Sequence, residues 1–210
     1  MAKSLQNEDK IPFYTRGANP TTSILQQKLA ALENTEEALV FGSGSAAITA
    51  AVVSQVKAGD HIVCVDNPYS WTKKLIDKIL TRFNVTCTYV DPSDSQAMID
   101  ACKDNTVLIY MESPNSWTYE MQDIQLIADF AKANSITTIL DNSCASPLYQ
   151  QPATYGVDII VHSATKYLNG HSDVVGGAVV SADAADHEQL AWWANCTGVT
   201  GSPFDAYLTL

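Results

Sequence analysis

The sequence predicts an α/β fold, built on a mostly parallel sheet with helices on both faces, and two observations carry that prediction. Short apolar, β-branched runs alternate with stretches of helical periodicity over most of the 210 residues. The runs also lack the in-and-out polar alternation of a half-wetted sheet, as strands buried on both faces do. Such sheets place their ligands beyond the carboxyl ends of the strands.

Residues 1–21 are polar and irregular, ending in Ile11-Pro12-Phe13-Tyr14-Thr15-Arg16-Gly17-Ala18-Asn19-Pro20-Thr21. Two prolines and a glycine within it oppose a long helix, so this part is expected to form an extended arm. A first helix follows, with Thr22 or Ser23 as its cap and Ile24, Leu25, Leu29 and Leu32 at helical spacing. Residues 38–41 read as a strand that enters Gly42-Ser43-Gly44-Ser45 and an alanine-rich helix over 46–56. Further strands are expected at 61–65, 85–90, 106–111, 136–140, 157–161 and 178–180. Helices are expected at 71–83, 95–102, 124–133 and 184–193. Ser202-Pro203 opens one more helical pattern, where the sequence stops after a few apolar residues. The expectation is an arm over 1–21 and a large domain over 22–210 that is incomplete at its C-terminal end.

The balance of 12 basic against 23 acidic residues, net charge -11, argues against nucleic acid or an anionic membrane as a partner. An anionic ligand would therefore be held by local donors. Five cysteines without a C-x-x-C pair argue against a disulfide framework or a zinc site, and His61, His162, His171 and His187 show no metal-ligand spacing. No metal is expected. No signal-like segment opens the sequence and no run of about 18 apolar residues occurs, so a cytoplasmic protein is expected.

Three strand ends carry chemistry. The turn Gly42 to Ser45 opens a helix, whose free N–H groups and dipole suit a phosphate; Ser163 and Thr165 can add hydroxyls. Asp141 ends an apolar strand, where a carboxylate needs a cationic partner. Lys166 follows the 157–161 strand, and an amine there becomes a nucleophile if burial or nearby positive charge lowers its pKa. Tyr69, after Asn67-Pro68, can stack on a flat ring. An anchor for phosphate, a carboxylate for a pyridinium and an amine for a Schiff base are what pyridoxal phosphate requires.

The motifs resemble a family. Ser163-Ala164-Thr165-Lys166-Tyr167-Leu168, with Gly170-His171-Ser172-Asp173 and Gly176-Gly177, is similar to the lysine motif of the Cys/Met-metabolism pyridoxal-phosphate enzymes, the cystathionine synthases and lyases. Tyr14-Thr15-Arg16 with Asn19-Pro20-Thr21 resembles their arm, residues 42–47 their phosphate turn, and Asp141-Asn142 their pyridinium dipeptide. Glu112-Ser113-Pro114 and Ser202-Pro203-Phe204-Asp205 match as well. The resemblance implies an aspartate-aminotransferase-like (fold type I) large domain whose small C-terminal domain is absent from this chain. It implies Lys166 as the covalent anchor and mover of the substrate Cα proton, assisted by Tyr69, which also stacks on the ring. Asp141 would face the ring nitrogen, and Gly44, Ser45, Ser163 and Thr165 would hold the phosphate. Tyr14 and Arg16 would reach the phosphate of a neighbouring subunit, making the protein a homo-oligomer of active-site-sharing dimers, a tetramer in this family. The substrate would be a small amino acid such as cystathionine or an O-acylhomoserine.

The sequence also departs from the family pattern. Asn115-Ser116-Trp117 stands where a small residue, Asn and Pro are common, so Ser116 is the candidate to replace the usual amide contact to the ring hydroxyl. Trp71 occupies a position where methionine-cleaving members carry Cys, and Cys144 one where an aromatic is usual. Three alternatives stay open or are discounted. Gly42-Ser43-Gly44-Ser45-Ala46-Ala47 with Asp66 also fits a nicotinamide-dependent Rossmann oxidoreductase. A chain that binds pyridoxal phosphate without turnover also survives as an alternative. Ser163-x-x-Lys166 as an acylase pair is discounted, because no Lys-Thr-Gly accompanies it.

Overall fold

The apolar runs pair into one sheet. In the computed structural model, which describes residues 11–210, seven strands are ordered β1-β7-β6-β5-β4-β2-β3. They are β1 (Glu37–Phe41), β2 (His61–Val65), β3 (Thr86–Val90), β4 (Thr106–Glu112), β5 (Thr137–Asp141), β6 (Ile159–His162) and β7 (Gly177–Ser181). β3, β2, β4, β5 and β6 are joined by parallel ladders, while β7 runs antiparallel to both its neighbours, β6 and β1. Every residue of β2 and β7 is buried, as strands covered on both faces must be.

The helices are α1 (Pro20–Leu32), α2 (Gly44–Gln55), α3 (Ser70–Lys74), α4 (Ser95–Asp100), α5 (Ile124–Ala133), α6 (Ser146–Tyr149), α7 (Ala184–Thr197) and α8 (Pro203–Thr209). Helix α1 starts earlier than the sequence suggested. Asn19, rather than Thr22 or Ser23, is the cap, accepting the Thr21 N–H at 2.9 Å. Pro20 sits at the first helical position, where its fixed φ suits the helix and its missing N–H costs nothing. Leu25 and Leu29 enter the core, whereas Ile24 and Leu32 stay exposed. The single helix expected over 71–83 is divided: α3 passes into a π turn (Leu75–Ile79) and a 3-10 turn (Leu80–Phe83). That winding buries Leu75, Ile76 and Leu80 and leaves Ile79 and Phe83 outside.

A buried polar cluster ties three of these elements together below the strand ends. Glu33, at the end of α1, is fully buried, and its Oε1 lies 2.5 Å from His162 Nε2 at the end of β6. The same oxygen accepts the Asn142 side-chain N–H at 3.0 Å, and Asn142 is further bound to the Gln150 carbonyl and side chain.

Gly177 shows how closely the chain must pack where α2 begins. A Cβ at this position would stand 2.1 Å from the Ser43 carbonyl oxygen and 2.9 Å from the Gly44 nitrogen, both backbone atoms that cannot swing away. Gly177→Ala is therefore expected to destabilise the chain by about 1–3 kcal/mol or more, by prying α2 from β7. Urea unfolding of the variant measures it, and a midpoint equal to that of the unsubstituted chain would show that the contact relaxes at no cost.

Candidate active site

Parallel neighbours end together, so the carboxyl ends of β4, β5 and β6 bring Glu112, Asp141 and the loop after His162 to one edge. Glu112 stands directly opposite Asp141 in the strand register. The start of α2, after β1, and Tyr69, after β2, complete the rim. Between them lies a cavity of about 490 Å³ lined by, among others, Gly44, Ser45, Tyr69, Ser116, Asp141, Ser163, Thr165 and Lys166. Eight of the ten residues that the sequence singled out therefore share one hollow. The other two, Tyr14 and Arg16, do not line it. Arg16 Nη1 donates to the Asn195 carbonyl of its own α7 at 2.8 Å, and Tyr14 is exposed.

The anchor end of the cavity is narrow. Ser43 caps α2, accepting the Ala46 N–H at 3.1 Å, which leaves the first-turn N–H groups of Gly44 and Ser45 without intrahelical acceptors. A Cβ on Gly44 would lie 2.7 Å from Ser163 Cβ and 2.8 Å from its Oγ. Only glycine allows the hydroxyl of Ser163 to come so close to the helix start. Thr165 closes its hydroxyl on Gly176, donating to that carbonyl at 3.1 Å and accepting its N–H at 3.0 Å, which braces the loop that carries Lys166. Lys166 itself lines the cavity and is exposed, open to whatever enters it.

Asp141 is buried, and its Oδ1 accepts from the Ser143 N–H at 3.0 Å and from the Ser143 hydroxyl at 2.6 Å. That hydroxyl in turn accepts the Ser163 N–H at 2.6 Å, so one hydrogen-bonded line joins the ends of β5 and β6. Burial pushes the Asp141 carboxyl above its usual range, opposed by the Ser143 bonds and the His162 ring. No ion pair to Asp141 forms among the described residues. A carboxylate at this depth, without a cation of its own, suits a cationic group brought in by a ligand.

Glu112 was the residue most easily missed. Its sequence signal is confined to the tripeptide Glu112-Ser113-Pro114, yet it lines the cavity, takes the Tyr69 N–H on Oε2 at 2.7 Å and meets the Ser116 hydroxyl with Oε1. Burial, and then the neighbouring Asp141 carboxylate, raise its pKa to about 7, against the pull of the Ser116 and Tyr69 donors. The folded chain thus holds a proton there that the unfolded chain releases nearer the ordinary value of 4.5. Between those two values the native state binds more protons, so stability falls as pH rises. The loss at this site is on the order of 3 kcal/mol across that window. Glu112→Gln, which cannot ionise, is expected to flatten this part of the stability profile. Urea midpoints collected across the window check it, and an equal slope in the variant would reject Glu112 as the source.

The sheet order disposes of the dinucleotide alternative. A dinucleotide site needs the glycine turn and the acidic residue on adjacent parallel strands. Here β7, β6, β5 and β4 separate β1 from β2. Asp66 instead pairs with Lys73 at 3.7 Å and is not among the residues lining the cavity. The five cysteines are free thiols, and no cluster of three or more His, Cys, Asp or Glu residues able to hold a metal occurs among the described residues.

The donor set fits pyridoxal phosphate. It offers an anion cradle at a helix start, an uncompensated buried carboxylate and an accessible amine, all within one cavity. Comparison with known proteins agrees. The chain is 41% identical over 197 residues to a probable cystathionine gamma-synthase of Herpetosiphon aurantiacus, covering 94% of this chain and 61% of that protein. It is 42% identical to the cystathionine gamma-lyase of Bacillus subtilis, covering 94% and 52% of the two chains. Among solved structures, a cystathionine gamma-synthase from Xanthomonas oryzae pv. oryzae in complex with cystathionine superposes with a TM-score of 0.89 at 38% identity, over 93% of this chain and 51% of that one. The chain thus spans between half and about three fifths of the length of these relatives. The family profile described as Cys/Met metabolism PLP-dependent enzyme matches residues 1–210, and the chain belongs to that family.

Proposed function

We propose that this chain is the cofactor-binding part of a pyridoxal-phosphate enzyme of sulfur amino-acid metabolism. Its substrate would be an amino acid such as cystathionine or an O-acylhomoserine, processed by β- or γ-elimination or by γ-replacement. One observation carries the reading: Lys166, Asp141 and the start of α2 open onto the same cavity. Pyridoxal phosphate, when bound, supplies an electron sink for charge developing at the substrate Cα. The N–H groups of Gly44 and Ser45 and the hydroxyl of Ser163 would hold its phosphate, joined by the Thr165 hydroxyl once its hydrogen turns from the Gly176 carbonyl, and Tyr69 would cover its ring. Asp141 would face the ring nitrogen, where its carboxylate favours the protonated form.

Lys166 Nζ carries two tasks in this reading, as the covalent anchor and as the base that takes the Cα proton. Its exposure at the mouth supports both, since an amine that must meet an incoming substrate cannot be walled off. Tyr14 and Arg16 would serve a neighbouring copy, where the Arg16 guanidinium can grip phosphate with two parallel bonds. Such sharing requires at least a homodimer, and the proposed assembly is a cytoplasmic tetramer built from two such dimers.

The reaction is tested by loading the 210-residue chain with pyridoxal phosphate, adding cystathionine, and following release of thiol and of keto acid. Product that disappears in Lys166→Ala supports the assignment, and product formed equally by that variant contradicts it. Cofactor retained without turnover selects a second reading, a cofactor-binding chain that needs the rest of the protein to act. The lengths of the relatives favour keeping that reading in view.

A further inference from the structure

Glu112 closes β4 with both oxygens engaged, Oε2 by the Tyr69 N–H and Oε1 by the Ser116 hydroxyl, and the Ser116 backbone N–H also donates to this carboxyl. A serine hydroxyl has a single hydrogen to give. While Glu112 is ionised it can only accept, so that hydrogen points at Oε1 and Ser116 offers the cavity lone pairs alone. When Glu112 is protonated, Oε2 must still accept from Tyr69, so the proton resides on Oε1 and is donated to Ser116 Oγ. The serine hydrogen is then released to turn into the cavity. The neighbouring amide cannot substitute, because Asn115 Nδ2 already donates to the Asp66 carbonyl at 3.2 Å and to the Thr118 hydroxyl at 3.2 Å.

We propose that Ser116 is a proton-gated hydrogen-bond donor to the acceptor oxygens of the bound cofactor, with Glu112 as the positioning residue that sets the gate. One proton, taken up from solvent on Glu112 Oε1, opens it, and its release closes it. The proposal rests on the pyridoxal-phosphate reading and assigns to this chain a property that an amide at position 116 would not have, since an amide N–H donates at any pH. The surroundings put the gate in the neutral range: burial and Asp141 on β5 bring Glu112 to about 7. The other titratable groups around it are Cys64 on β2, Tyr110 on β4, Cys144 after β5, Tyr69 before α3, Tyr119 in the loop after β4, and Lys166 and Tyr167 in the loop after β6.

The test measures the equilibrium affinity of the chain for pyridoxal phosphate across this pH range. It is done in a Lys166→Ala background so that no covalent link contributes, and by fluorescence rather than turnover. With Glu112 and Ser116 intact, affinity is expected to fall roughly tenfold or more between about pH 6 and about pH 8, the worth of one hydrogen bond to an anionic acceptor. Ionisation of the cofactor's own phosphate affects all variants alike, so the differences between them are read. Glu112→Gln satisfies Tyr69 with its oxygen and Ser116 with its amide, and should hold the stronger affinity at both ends. Ser116→Ala should hold the weaker affinity at both ends, and Ser116→Asn should restore the stronger one. A pH slope unchanged by Glu112→Gln and Ser116→Ala overturns the gate. Absence of cofactor binding in every chain at every pH overturns instead the reading beneath it.

Discussion

Lys166→Ala is expected to abolish covalent retention of pyridoxal phosphate and to lower turnover by about 10² to 10⁴ or more, the range that a positioned acid or base contributes. The loss should be larger than for any other cavity residue, because the proposed anchor and the proposed base are one atom, Nζ. The variant should nonetheless fold. Lys166 is exposed, and the bonds that shape its loop are main-chain ones, Lys166 N–H to the Ser163 carbonyl at 3.0 Å and Gly170 N–H to the Lys166 carbonyl at 2.9 Å. An alanine retains both. Unaltered unfolding with lost turnover is thus the expected signature, measured on matched samples by urea titration and by product release. A variant that unfolds earlier and keeps its activity per folded chain would place Lys166 among structural residues.

Glu33→Ala is expected to do the reverse, costing about 3–5 kcal/mol of stability while touching no group in the cavity. Glu33 and His162 are both buried, at 0% and 1% exposure, so no water can replace a lost partner. The pair is already under-satisfied, since Glu33 Oε2 and His162 Nδ1 have no hydrogen-bond partner among the described residues. Removing the carboxylate leaves His162 Nε2 and one Asn142 N–H without their acceptor in a dry site. A double substitution, Glu33→Leu with His162→Leu, should recover part of the stability, as apolar replacement of buried polar pairs often does. If the single and double variants unfold at the same midpoint, the pair contributes by packing alone.

The elements that the sequence made legible are those fixed by local chemistry. The runs 61–65, 106–111 and 157–161 are β-branched and apolar because the strands they form are covered on both faces, and each lies in the sheet. Lys166 and Asp141 were visible because each follows an apolar run with a charged group that is costly to bury, and the turn at Gly44 because a glycine pair interrupts one. What escaped depends on contacts far apart in the chain. No periodicity reports that Gly177–Ser181 inserts antiparallel between β1 and β6, or that Glu33 meets His162 across 129 positions. Glu112 stayed hidden for a related reason: its significance lies in standing opposite Asp141, a register that only the parallel ladder defines. The split of the 71–83 helix escaped because a π turn leaves the apolar pattern nearly intact while shifting which residues point inward.

The central claim is that one amine, Lys166, holds pyridoxal phosphate in the cavity it shares with Asp141. The most direct measurement is borohydride reduction of the loaded chain, followed by proteolysis and mass analysis of the fragments. The account predicts a single reduced pyridoxyl phosphate adduct, on the fragment containing Lys166, and none after Lys166→Ala. An adduct on a fragment carrying any other lysine would contradict it.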